Sequence, residues 1–134
     1  MAPLSGQCLC GAVRYRIGGA PALVAICHCT HCRRQSGSAF SVNALIARPD
    51  YRQEGMTRVF TDTGSSGAPV YRQFCPGCGS PILSALPGLP DHILVKVGTL
   101  DNPETLTPSR EVWCDSALPW LPVMPNTTRS GRDK

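Results

Sequence analysis

Apolar and polar residues alternate in short stretches along this chain. Over residues 12–17, Val13, Tyr15 and Ile17 share one face and Arg14 and Arg16 the other, the period of a half-buried strand. Residues 22–27 form a short apolar run ended by cysteine, and residues 40–47 read as a strand that Pro49 closes. Residues 58–61, 70–74, 93–97 and 111–114 are further short strands. Turn signals separate them, including Gly64-Ser65-Ser66-Gly67, Pro87-Gly88 and Asp101-Asn102-Pro103. Residues 30–36 predict one helical turn, stopped by Gly37. No helical period persists over three turns. The pattern therefore predicts an all-β (mainly β) domain with short helical turns.

Composition narrows this picture. With 134 residues, 42% hydrophobic and 16% charged, the chain is globular and long enough for an apolar core. Thirteen glycines and thirteen prolines leave little room for long helices. One domain is expected over residues 1–125, followed by a basic, flexible tail over 126–134 that includes Arg129, Arg132 and Lys134. Residues 118–122, Leu-Pro-Trp-Leu-Pro, read as a rigid extended segment. Trp113 and Trp120 are expected in the core or a pocket wall, and His92 at a strand edge.

Eight cysteines pose the question of disulfide or metal. Residues 1–7 show no basic stretch followed by an apolar run, so no secretory signal is expected. No apolar run approaches the roughly 20 residues of a membrane span. A cytoplasmic chain keeps its thiols reduced, and clustered cysteines there favour metal over disulfides. The formal charge of +4 hints at an acidic partner. Zinc-bound thiolates would bring it close to neutral, so nucleic-acid binding is not inferred.

Seven cysteines fall into three groups: Cys8 and Cys10; Cys27, Cys29 and Cys32; Cys75 and Cys78. Cys75-Pro76-Gly77-Cys78-Gly79 is a metal knuckle, with glycines that permit tight backbone and N–H contacts to sulfur. Structural zinc takes four ligands, and Cys8 and Cys10 supply the other pair. Positions i and i+2 of a strand face one side, which would let both sulfurs converge. The other reading of Cys75-x-x-Cys78 is a redox dithiol, but the strand-to-helix context that motif needs is missing.

Cys27, Cys29 and Cys32 offer three thiolates and no fourth cysteine nearby. Three protein ligands and an open position are the catalytic zinc pattern. The alternative is that His28, His31 or Cys114 closes a structural site. Arg33 and Arg34 follow at once and are candidates to receive substrate carboxylates.

Gly6-x-Cys8-x-Cys10-Gly11, Cys27-His28-Cys29-x-x-Cys32-Arg33, Gly37-Ser38-Ala39-Phe40 and Phe74-Cys75-x-x-Cys78-Gly79 together resemble the glutathione-dependent formaldehyde-activating enzyme family, which includes centromere protein V. Lys96-Val97-Gly98-Thr99-Leu100-Asp101 and Pro119-Trp120 are similar too. The resemblance implies a β-tent fold and two zinc sites, structural on Cys8, Cys10, Cys75 and Cys78 and catalytic-type on Cys27, Cys29 and Cys32. It implies a carbon–sulfur lyase activity that joins formaldehyde to glutathione as S-(hydroxymethyl)glutathione, with glutathione as co-substrate. The alternative it carries is a non-catalytic, zinc-stabilised binding module, as in the centromere protein V relatives.

Overall fold

The computed structural model describes residues 3–132. In chain order its main elements are β1 (Leu4–Gln7), β2 (Arg14–Ile17), β3 (Leu23–Cys27), α1 (Thr30–Ser36), β4 (Ser41–Ala47), β5 (Tyr51–Glu54), β6 (Arg58–Thr63), β7 (Pro69–Phe74), β8 (Pro81–Ala85), β9 (His92–Lys96), β10 (Arg110–Val112) and β11 (Thr128–Arg129). Short 3-10 turns lie at Arg48–Asp50, Val97–Thr99, Pro103–Thr105 and Cys114–Ser116. The fold is mainly β, as the alternation predicts, and α1 is the α-helix among the described residues.

Two sheets carry the chain. The smaller has the order β1-β2-β5, and the larger β11-β10-β3-β4-β9-β8-β7-β6. Pairing is antiparallel except that β10 runs parallel to both β3 and β11. In β2 the predicted alternation holds, with Tyr15 and Ile17 buried and Arg14 and Arg16 exposed. Ala44 and Ile46 of β4 and Ile93 and Val95 of β9 join Tyr15 and Ile17 in one core, to which Cys8 and Cys75 also belong. This burial of alternate side chains is the main favourable term of such a fold.

Close approach ties β1 to the segment after β9 at Gly6, which bridges to Leu100. A Cβ on Gly6 would overlap the Tyr15 hydroxyl and the Thr99 carbonyl oxygen. The Tyr15 hydroxyl is itself hydrogen-bonded to Thr99 Oγ1 at 2.7 Å.

Some expectations change. Cys8 and Cys10 do not lie in a strand; they sit in the turn between β1 and β2. Gly11, at φ +80°, reverses the chain there, and Cys8 N–H donates to the Val13 carbonyl at 3.0 Å. Residues 118–122 form a turn, with Leu121 N–H donating to the Leu118 carbonyl, and are not extended. Trp120 is 69% exposed and belongs to no core. β10 stops at Val112 because Trp113 takes a left-handed conformation, φ 57°.

For segment 126–134, expected to be flexible, the structure gives pairing up to residue 132. β11 lies beside β10, and Thr127 Oγ1 and Arg129 Nη1 each donate to Glu111 Oε2 at 2.6 Å. The Arg132 guanidinium lies 4.7 Å from the Trp113 ring centroid. A buried carboxylate without partners is costly, and Glu111 recruits the segment for that reason. Lys134 lies outside the described residues.

Candidate metal centres

The turn after β1 and the knuckle after β7 meet. The sulfurs of Cys8, Cys10, Cys75 and Cys78 all lie within 4.8 Å of one another. Cys8 Sγ is 3.6 Å from Cys10 Sγ, and Cys10 Sγ is 3.7 Å from Cys75 Sγ. Tetrahedral zinc with bonds of about 2.3 Å sets sulfurs about 3.8 Å apart, so the donor set fits zinc. Val13 N–H donates to Cys8 Sγ and Gly77 N–H to Cys75 Sγ, both at 3.3 Å. Such N–H groups stabilise thiolate charge. Gly79, at φ +79°, turns the knuckle so that its N–H reaches the Cys75 carbonyl at 2.8 Å. Ser80 Oγ joins the two halves, accepting from Leu9 N–H at 3.0 Å and lying 3.2 Å from Cys78 Sγ.

The end of β3 and the start of α1 gather the second set. Cys27, Cys29 and Cys32 Sγ also lie within 4.8 Å of one another. Cys29 is the N-cap of α1, where its sulfur accepts from Cys32 N–H at 3.2 Å. Gly37, at φ +71°, ends the helix as predicted. Among the described residues no fourth histidine, cysteine or carboxylate completes this group. His28 Nε2 is paired with Glu111 Oε1 at 2.9 Å, and His31 Nδ1 with Asp62 at 2.8 Å. Cys114 gathers with His28 and Glu111, not with the three cysteines. Three soft thiolates at this spacing suit zinc with one position open.

Two cations face the triad, and neither is legible from local sequence. Arg72 of β7 is buried and donates from Nε to Asp62 Oδ2 at 3.0 Å, while its Nη1 lies 4.0 Å from Cys32 Sγ. Lys96 of β9 is buried and donates to Ser41 Oγ at 2.9 Å. Burial pushes the Lys96 ammonium down, and the Cys32 thiolate pulls it back up. Hydrogen bonds from Cys27 and Cys29, then the charges of Lys96 and Arg72, hold the Cys32 thiol well below its ordinary range against burial. Three thiolates around a divalent ion carry one net negative charge; the Asp62 carboxylate beside Arg72 makes two, which these two cations balance.

An open cleft of about 470 Å³ is lined by Thr30, His31, Arg34, Gln35, Phe60, Asp62 and Arg72; none of the three cysteines lines it, and Arg72, 4.0 Å from Cys32 Sγ, lies between the two. Of the two arginines singled out in the sequence, Arg34 lines the cleft. Arg33 does not, and its carbonyl caps the helix end by accepting from Gly37 N–H. Phe60 is 60% exposed and forms an apolar wall. Burial would raise the Asp62 carboxyl, but hydrogen bonds from His31 and Arg72 hold it below the usual carboxylate range. His92 lines a separate surface hollow with Arg48 and Asp91.

The family model described as "Glutathione-dependent formaldehyde-activating enzyme" matches residues 3–116. No curated protein sequence matches the chain. A crystal structure of a Rhodobacter sphaeroides protein is similar in fold, with a TM-score of 0.56 and 24% identity over 72% of this chain and 87% of that one. No helix among the described residues is long and apolar enough to cross a membrane.

Proposed function

The chain belongs to the glutathione-dependent formaldehyde-activating enzyme family, and from that premise we propose that it is a zinc-dependent carbon–sulfur lyase-type enzyme acting on a glutathione adduct or a small carbonyl. The activity is of the S-(hydroxymethyl)glutathione synthase kind. The observation that carries this reading is the three-cysteine group, which has no fourth protein donor among the described residues; Arg72 connects it to a cleft that bears Arg34.

Cys27, Cys29 and Cys32 would hold the catalytic-type zinc, and Cys8, Cys10, Cys75 and Cys78 the structural one. Zinc at the triad would supply Lewis acidity and favour the thiolate form of a substrate thiol. The chain's own residues do the rest. Arg34 offers a forked donor to a substrate carboxylate at the cleft, and the Phe60 ring covers the apolar part of a bound thiol. Lys96 and Arg72 keep the site's net charge low, so an anionic thiol can approach. In the synthetic direction the thiol gives up its proton, the sulfur–carbon bond forms, and the carbonyl oxygen takes up a proton to become a hydroxyl.

Cys29→Ser tests the reading. Serine is a good N-cap, so α1 and the fold should persist. Turnover of formaldehyde with glutathione, followed by NMR, should be lost while the four-cysteine zinc remains. Retained turnover in the folded variant would refute the proposal.

A further inference from the structure

A third group of donors stands apart from both cysteine sites. His28, Glu111 and Cys114 each bring a ligand atom to within 4.8 Å of the others. Their meeting follows from the parallel pairing of β3 with β10, which sets Val112 opposite Cys27. His28 follows the end of β3, Glu111 is the middle residue of β10, and Cys114 opens the 3-10 turn behind it.

His28 and Glu111 are 4% and 2% exposed. His28 Nε2 is the ring nitrogen that meets Glu111 Oε1, at 2.9 Å. Cys114 is a free, partly exposed thiol. So one group of three holds a buried imidazole, a buried carboxylate and a thiol.

We propose that His28, Glu111 and Cys114 form a further divalent-metal site, suited to zinc by its mixed nitrogen, oxygen and sulfur donors. Neutral imidazole, carboxylate and thiolate together neutralise a divalent ion. Thr127 Oγ1 and Arg129 Nη1 occupy Glu111 Oε2, which leaves Oε1 turned toward His28. Outer hydrogen bonds that orient a carboxylate ligand in this way are the usual support of a metal site. Arg129 brings a positive charge, but it is bound to that same carboxylate and one-third exposed. Bonds of about 2.0–2.1 Å would set nitrogen and oxygen about 3.3 Å apart, so the present 2.9 Å contact opens by a few tenths of an ångström. Three protein ligands leave a fourth position for water, and Cys114, on the exposed side, marks the way in. The ion would pin β10 and the turn after it to the end of β3.

The test is zinc content of the zinc-loaded, desalted chain. Cys114→Ala should hold one zinc fewer than the unaltered protein, and equal content would overturn the proposal. Iodoacetamide labelling of the unaltered protein, with peptide mass mapping, covers the case in which Cys114→Ala does not fold. Labelling of Cys114 should slow once zinc exceeds what the two cysteine clusters hold. Labelling that zinc leaves unchanged would overturn the proposal.

Discussion

Cys10→Ser/Cys78→Ser and Cys29→Ser/Cys32→Ser each remove two sulfurs, but from sites with different consequences for stability. Cys10 and Cys75 are separated by 65 residues, so the four-cysteine site closes a long loop. Treated as a cross-link, that loop restrains the unfolded chain by about 4 kcal/mol. The triad spans about five residues, and the same relation gives about 2 kcal/mol. A serine hydroxyl in place of the Cys29 sulfur still caps α1, so the second variant loses little else. For a chain of 134 residues these energies correspond to drops in Tm of about 15 °C and about 7 °C. Differential scanning calorimetry of the zinc-loaded proteins measures both. Equal drops, or a larger one for the triad variant, would refute the division between a folding site and a working site.

Gly6→Ala should destabilise by about 1–3 kcal/mol, because its Cβ meets Tyr15 and the Thr99 carbonyl, and zinc content should stay unchanged; urea unfolding reads the first and metal analysis the second. Asp62 has a folded-state pKa below its unfolded value, so its contribution is full above the unfolded pKa of about 3.9 and is lost as pH falls through the lower folded one. The stability gap between the protein and Asp62→Asn should therefore narrow on acidification below about pH 5, as urea midpoints at each pH will show; a gap that widens would contradict the pairing with His31 and Arg72. Arg34→Ala should raise KM for a carboxylate-bearing thiol by about tenfold, the loss of one charge-assisted hydrogen bond, with Arg33→Ala near unchanged. Steady-state kinetics with glutathione separates the two.

Local sequence carried the parts of this molecule that depend on near neighbours. The alternation of residues 12–17 marks β2, Gly37 marks the end of α1, and cysteine spacing sorts the two groups that could hold metal. Residues 51–54 and 81–85 are not legible as strands because they are short and lack strict apolar–polar alternation; the buried residues of β8 include Ser84. The site's charges are hidden for a different reason. Arg72 and Lys96 sit on separate strands and reach the triad only through sheet order, and Asp62 meets His31 across 31 residues. A buried charge leaves no periodic signal, since its partner is chosen by topology.

The parallel pairing of β10 with β3 also sets an order of assembly. During synthesis, both halves of the four-cysteine site have emerged once residue 78 has. β3, whose last residue belongs to the triad, then has β4 on one side and a bare edge on the other. That edge is covered only when residues 110–112 arrive, and an uncovered strand edge is a template for pairing with another chain. A nascent chain stalled before residue 110 should therefore capture metal at its first site while remaining prone to aggregate through β3.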